Sequence, residues 1–225
     1  MGQEARVKLY EHWAATYDQR IETGSAPVSF EGYGQVLDEA VTLAQPEQGM
    51  QIMDLGTGTG NLAAHFLAAG CEVWGVDFSA QMLGRAKVKL PELHIIKANL
   101  MSKAWPKELD RRFDRVVSSY ALHAFDLPSK IQLLSRISQK YLSINGRIVI
   151  ADIAYLDQEA RAQAQAQWGR LWSEDDYYWS ADETIAACRN AGLTCTYRQV
   201  SSCAGVFVNE RIVTDQPKPT KTRRG

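Results

Sequence analysis

The chain has 225 residues, a formal net charge of -1 and 45% hydrophobic residues, which suit one α/β domain with additions and exclude a membrane span, since no apolar run is long enough. Its four cysteines, at positions 71, 188, 195 and 203, match neither metal-site spacing nor a secreted disulfide framework. We therefore expect reduced thiols, no bound metal, no export signal and a cytoplasmic location.

The C-terminal end is basic although the chain as a whole is not. The last ten residues contain 4 of the 25 lysines and arginines and no acid, which leaves 21 bases against 26 acids, a charge of about -5, in the rest. An acidic body disfavours a polyanionic partner such as nucleic acid. We predict a disordered basic tail over residues 213–225. The tail could contact nucleic acid, but a solvated end is the commoner explanation.

Two helical segments are predicted before the first strand. Leu9, Trp13 and Tyr17 recur every four residues, as on one face of a helix. Glycines and a proline then interrupt the pattern, and a second apolar helical face begins at Tyr33 and ends before Pro46. Residues 1–48 are therefore predicted to form an N-terminal helical cap.

The next segment combines a strand, a glycine loop, a helix and a second strand. A short apolar run ends in Gly56, Gly58 and Gly60, which let the backbone turn tightly and approach a ligand. An amphipathic helix follows and ends at Gly70. The second strand ends at Asp77, an acid that can accept both hydroxyls of a ribose.

The spacing of these glycines separates two classes of nucleotide-binding protein. Dinucleotide enzymes favour G-x-G-x-x-G, whereas here the glycines are two residues apart and Asp54 stands two residues before the first. This loop resembles that of class I S-adenosylmethionine-dependent methyltransferases. Two alternatives stay open: a tight turn in another doubly wound protein, and an oxidoreductase that uses a nicotinamide cofactor.

Five further strands complete the predicted fold. They lie at residues 93–98, 113–118, 147–152, 193–199 and 204–210. A helix that begins at Pro128 and ends at Asn145 and Gly146 precedes the fifth strand of the sheet. The fold class is α/β: a Rossmann-like, doubly wound, seven-stranded, mainly parallel sheet with an antiparallel last strand and helices on both faces. We assign residues 49–212 to this domain.

Residues 155–180 hold an Ala- and Gln-rich helix followed by aromatic residues. Trp168, Trp172 and the aromatic run at 177–179 lie beside two aspartates. Inserted after the carboxyl end of a strand, such a segment suits a lid over a small substrate. The alternative is a helix that packs on its own domain or on a second subunit, which would make the protein a homodimer.

The resemblance to class I methyltransferases extends over residues 33–210 and implies a set of contacts to S-adenosylmethionine. In that family Asp77 would bind the ribose, Phe78 would flank the adenine, and Asn99, where aspartate is more common, would accept from the adenine amino group. The implied contacts are Asp54, Gly56, Thr57, Gly58, Gly60, Asp77, Phe78, Met82, Asn99, Leu100, Ser118 and Tyr17. Tyr17 belongs to a Trp-Ala-Ala-Thr-Tyr-Asp segment similar to an N-terminal element of small, largely uncharacterised bacterial methyltransferases, where it helps cover the cofactor; simple packing is the alternative.

The resemblance also implies a reaction, the in-line transfer of the sulfonium methyl group to a small-molecule acceptor with S-adenosylhomocysteine as product. The loop after the fourth strand lacks the Asn/Asp-Pro-Pro-aromatic motif of many base and amino-group methylases, which disfavours nucleic acid as the acceptor. His123 in this loop is a candidate general base, but a histidine packed under the loop is the alternative, so the catalytic residue stays unknown. A non-catalytic protein that binds S-adenosylmethionine is a further alternative.

Overall fold

Parallel strands form the centre of a computed structural model that describes residues 17–23 and 30–211. The strands are β1 (Gln51–Leu55), β2 (Glu72–Asp77), β3 (His94–Lys97), β4 (Phe113–Ser119), β5 (Leu142–Tyr155), β6 (Trp179–Ser180), β7 (Leu193–Gln199) and β8 (Ala204–Arg211). They pair in the order β3-β2-β1-β4-β5-β8-β7, and β6 pairs with β5 beside this path. The pairs of β1 to β5 are parallel, whereas β8 is antiparallel to both β5 and β7. The predicted antiparallel last strand is confirmed.

Helices cover both faces of this sheet. They are α1 (Tyr17–Glu22), α2 (Tyr33–Ala44), α3 (Asn61–Ala68), α4 (Ala80–Lys89), α5 (Leu127–Arg136), α6 (Gln158–Trp168) and α7 (Ala181–Asn190). Neighbouring residues of β1 belong to different cores: Ile52 packs with the buried face of α2, and Met53 packs with that of α5. Since side chains of a strand alternate between faces, the sheet is buried on both sides. The expected doubly wound α/β fold is confirmed.

The strand order reverses between β1 and β4. From β1 the chain builds outward through β2 and β3, and it then returns to place β4 and β5 on the other side of β1. In doubly wound sheets a crevice for ligands opens beyond the carboxyl ends of the strands at this reversal. The glycine loop after β1 and the loop after β4 both lie at this edge.

The fifth strand differs most from its prediction. It begins at Leu142, directly after a π-helical turn over residues 137–141, and not at Arg147. The residues of β5 that pair with β4 shift from Leu142 to Arg147 across an irregularity. Asn145 and Gly146, predicted to end a helix, lie in this irregular part of the strand, where a β-carbon on Gly146 would come within 2.6 Å of Leu142. The turn signal at these two residues therefore coincides with the irregularity, and regular pairing with β4 resumes at Arg147.

An eighth strand was also missed, because Trp179 and Ser180 form a two-residue strand that pairs with Ala154 and Tyr155 of β5. Within the described residues, no helix has both the length and the apolar character needed to cross a bilayer. The basic tail at 213–225 and the first helical stripe before Tyr17 lie outside the described residues. The domain limits at 48 and 212 stay predictions.

Candidate functional site

The glycine loop after β1 is held from two sides. Gly56, Gly58 and Gly60 have positive φ of 69°, 55° and 86°, a region that favours glycine. The Gly56 amide donates to the Val76 carbonyl of β2 at 2.7 Å. A β-carbon at position 56 would lie 2.4 Å from the β-carbon of Ala121 in the loop after β4. Glycine is therefore required where the two loops meet.

Asp77, the last residue of β2, links this loop to the helix that follows. Its Oδ2 accepts from the Gly58 amide at 3.0 Å, and its Oδ1 accepts from the Ser79 amide at 2.8 Å. Burial raises the pKa of Asp77, although the backbone amides that donate to it act in the opposite direction. The carboxylate is therefore fixed in place by backbone amides, and these leave acceptor capacity for a further donor such as a ribose hydroxyl.

Asp54, at the end of β1, has one oxygen without a partner. Its Oδ2 accepts from the Thr57 hydroxyl at 2.7 Å, whereas its buried Oδ1 has no hydrogen-bond partner within the described chain. Burial raises the pKa of Asp54 to about 7; the Thr57 hydrogen bond opposes this rise and the nearby Asp77 carboxylate adds to it. An orphaned oxygen next to the glycine loop suits a donor or a cation supplied by a ligand.

The raised pKa gives a test of stability. Between pH 3.8, the ordinary pKa, and about pH 7, Asp54 is ionised in the unfolded chain and protonated in the folded protein. The contribution of Asp54 to the free energy of unfolding is therefore lost as the pH rises through this window. Asp54→Asn cannot ionise and keeps an oxygen for Thr57. We expect this variant to gain stability over the wild type by up to about 1.4 kcal/mol per pH unit across the window, measured by urea unfolding of the ligand-free protein at several pH values. A difference that does not change with pH would contradict a protonated Asp54.

The remaining cofactor candidates differ in how their polar atoms are engaged. Asn99 Oδ1 accepts from the Met101 amide at 2.9 Å, which leaves this oxygen one further lone pair. The Ser118 hydroxyl is fully buried and donates to the Leu55 carbonyl at 2.7 Å, so it stabilises the pairing of β1 with β4. Met82 and Leu100 are buried, and Phe78 is half-buried next to Asp77. The side chain of Tyr17 lies outside what the structure describes.

Asp18 is a contact of the glycine loop that the sequence reading did not single out. Its Oδ1 accepts from the Thr59 hydroxyl at 2.7 Å and from the Asn61 side-chain amide at 3.2 Å. Its Oδ2 lies 3.4 Å from the Lys89 ammonium of α4. Helix α1 is therefore joined to the loop and to the start of α3. The only signal in the sequence is that Asp18 ends the Trp-Ala-Ala-Thr-Tyr-Asp segment.

His123, the candidate general base, pairs with Asp152 of β5. Its Nδ1 lies 2.7 Å from Asp152 Oδ1, and its backbone amide donates to Oδ2 at 2.9 Å. The Trp179 indole donates to the same Oδ2 at 3.1 Å. Burial would lower the pKa of His123, but the Asp152 carboxylate outweighs it and the net pKa is raised. Sequence reasoning found the histidine and missed its partner.

Four aromatic rings of the predicted lid region pack on one another. Tyr155, Trp168, Trp172 and Tyr178 have five ring pairs with centroids 4.6 to 6.4 Å apart. Tyr155 and Tyr178 are buried, and both tryptophans pack against the core on the α2 face. The rings therefore fix α6 to its own domain, and residues 155–180 as a lid and the homodimer both stay predictions.

The structure gathers the glycine loop, Asp54 and Asp77 at one edge of the sheet, with the loop of His123 directly beside them. Among residues 17–23 and 30–211, no group of three or more His, Cys, Asp and Glu side chains could hold a metal ion. The four cysteines are free thiols.

Comparisons with known proteins agree with this arrangement. Residues 30–197 match the family described as a methyltransferase domain. An uncharacterized methyltransferase of Geobacillus thermodenitrificans is 31% identical over 222 residues, which cover 94% of this chain and 98% of that protein. Uncharacterized methyltransferase YrrT of Bacillus subtilis is 34% identical over 167 residues, 73% of this chain and 74% of that protein.

The fold also matches a solved structure. The DhpI-SAM-HEP complex superimposes with a TM-score of 0.71 at 17% sequence identity, and the match covers 92% of this chain and 96% of that chain. At this level of identity the match supports a shared fold and does not assign roles to the site residues.

Proposed function

Because the chain belongs to the methyltransferase-domain family, as a class I S-adenosylmethionine-dependent methyltransferase, we propose that it methylates a small-molecule acceptor. Its cofactor, S-adenosylmethionine, supplies an electrophilic methyl group on a positively charged sulfur. The observation that carries the proposal is the fixed pair formed by the glycine loop and the buried Asp77 carboxylate. Family membership also favours methyl transfer over the nicotinamide-dependent alternative.

The residues present fit the cofactor. Asp77 would hold the ribose hydroxyls with its remaining lone pairs, and Asp54 would direct its unpartnered Oδ1 toward the cationic end of the cofactor. The positive φ values of the glycines keep side chains away from the bound nucleoside. Phe78 and Asn99, beyond the ends of β2 and β3, would contact the adenine.

The acceptor is proposed to be small because two residues of the site lie below the protein surface. Asp77 and His123 keep only 6% and 7% of their surface exposed, and a small ligand can reach such groups more readily than a macromolecule can. The chain outside its basic end carries about -5, which disfavours a nucleic-acid acceptor. In such a site the protein contributes mainly by aligning the acceptor and excluding water.

Titration calorimetry with S-adenosylmethionine and S-adenosylhomocysteine tests the first half of this proposal. We expect both to bind. If neither binds at millimolar concentration, the proposed methyltransferase function is contradicted. Cofactor with a labelled methyl group, incubated with the small-molecule and macromolecular fractions of a cell extract, tests the second half. We expect label in the small-molecule fraction that depends on Asp77; label only in protein or nucleic acid would contradict a small acceptor.

A further inference from the structure

Every acceptor position of the Asp152 carboxylate is occupied. Oδ1 accepts from His123 Nδ1 at 2.7 Å and from the Ile153 amide at 2.9 Å, and Oδ2 accepts from the His123 amide at 2.9 Å and from Trp179 Nε1 at 3.1 Å. A carboxylate offers about four lone-pair sites, and this one is fully buried. Burial would raise the pKa of Asp152, but His123 and the other donors outweigh it and keep the pKa lowered. Asp152 is therefore a rigid, ionised acceptor.

This arrangement fixes the tautomer of His123. Since an ionised carboxylate only accepts, Nδ1 has to carry the hydrogen, and Nε2 of the neutral ring keeps its lone pair. Nε2 has no hydrogen-bond partner among the described residues, whereas Asp152 Oδ1 holds the ring through Nδ1 and Asp152 Oδ2 holds the His123 backbone amide. A base oriented by a carboxylate on its far nitrogen is the arrangement that general-base catalysis needs.

The loop after β4 brings the backbone near His123 close to the glycine loop. His123 stands two residues after Ala121, the residue that a β-carbon at Gly56 would strike. The His123 side chain retains 9% of its surface, and the ring of Tyr178 lies 6.1 Å away between centroids. Tyr178 therefore gives the base an aromatic neighbour.

We infer that His123 is a catalytic general base, that Asp152 is its positioning residue, and that the acceptor is a weakly acidic hydroxyl on an aromatic ring, a phenol. This inference rests on the proposed methyltransferase function. His123 Nε2 removes the hydroxyl proton while the phenolic oxygen bonds to the methyl carbon. The carbon–sulfur bond breaks, its electron pair stays on sulfur, and the imidazolium returns the proton to water. The products are the aryl methyl ether and S-adenosylhomocysteine.

The chemistry of the base selects this class of acceptor. A carboxylate is already ionised near neutral pH and gains nothing from a base, and a thiol, with a pKa of about 8.5, supplies a few per cent of reactive thiolate without one. A phenol, with a pKa of about 10, is within reach of an imidazole of about 6.5 or above, whereas an aliphatic alcohol is far less acidic. The ring of Tyr178 next to His123 adds the preference for a flat ring.

Other charged groups lie near His123 and also affect the pH dependence of turnover. Asp152 and Asp176 raise its pKa, and Lys130 lowers it. Lys130 is itself buried, with its ammonium 4.0 Å from the Trp179 ring and donating to the Tyr177 carbonyl. Lys130→Met removes this charge at similar length, so it serves as the control that assigns a pH effect to His123.

Two para-substituted phenols of similar shape test the base directly. Near neutral pH, 4-nitrophenol ionises in water without a catalytic base, whereas 4-methylphenol stays protonated. We expect His123→Gln, which can still donate to Asp152, to lower kcat for 4-methylphenol by about 100-fold to 10,000-fold and to lower kcat for 4-nitrophenol far less. KM and calorimetric binding of S-adenosylmethionine should stay close to wild type. Equal losses with both phenols and intact cofactor binding would overturn the role of base.

Nuclear magnetic resonance of the histidine nitrogens gives a readout independent of turnover. We expect the Nδ1–H tautomer in the wild type and a lowered histidine pKa in Asp152→Asn; an Nε2–H tautomer in the wild type would overturn the inference without any acceptor. If the wild type methylates neither phenol but labels another small molecule in an Asp77-dependent way, the phenol class is wrong and the proposed function stands. If S-adenosylmethionine does not bind at all, the proposed function fails first.

Discussion

Replacing Asp77 with alanine is expected to weaken binding of S-adenosylmethionine by about 100-fold or more. Two charge-assisted hydrogen bonds from ribose hydroxyls contribute about 1.5 to 3 kcal/mol each, and about 1.4 kcal/mol corresponds to a factor of ten in affinity. The carboxylate is held by the Gly58 and Ser79 amides at 3.0 and 2.8 Å, so little of this energy is spent on orienting it. Titration calorimetry measures the change directly.

The same substitution also removes two hydrogen bonds of the protein itself, so the fold has to be checked by circular dichroism and thermal unfolding. Glu72→Ala is the matched control, because Glu72 is the exposed first residue of the same strand. We expect it to bind the cofactor like the wild type. A folded Asp77→Ala protein with unchanged affinity would contradict the assignment of Asp77 to the ribose.

Gly56→Ala is expected to destabilise the protein by about 2 to 5 kcal/mol and to abolish cofactor binding. The added β-carbon would lie 2.4 Å from that of Ala121, and the backbone has a φ of 69°. Left-handed strain accounts for about 1 to 2 kcal/mol and overpacking for about 1 to 3 kcal/mol. Urea unfolding of the ligand-free protein measures the loss in stability, and calorimetry measures the loss in binding.

Gly84→Ala provides the comparison, since Gly84 lies inside helix α4, has no positive φ and has no atom near its missing β-carbon. We expect it to be neutral or to stabilise by about 0.5 to 1 kcal/mol. In the double variant with Ala121→Gly, part of the loss at position 56 should return because the contact is relieved. Equal stability of the two single glycine variants would show that the loop can move aside and that the close approach is unimportant.

The parts of the fold that were predicted correctly have local signals. The glycine loop and the acid at the end of β2 each follow from a few adjacent residues. The closing strands β7 and β8 follow from alternation and a turn. These signals lie within single elements, so one sequence is enough to read them.

The parts that were missed depend on pairing between distant residues. Asp152 is 29 residues from His123, and the two meet because β4 and β5 are parallel neighbours. Asp18 is 41 residues from Thr59. The early start of β5 likewise depends on its partner strand, because Leu142 pairs with Phe113 before the irregularity at Asn145 and Gly146. Such contacts follow from strand order and register, which one sequence does not specify.

The attachment of helix α1 makes the glycine loop depend on a distant part of the chain. Asp18 accepts from Thr59 of the loop and from Asn61, the first residue of α3. A helix of only six residues therefore supplies a carboxylate anchor for the loop that also fixes the start of α3.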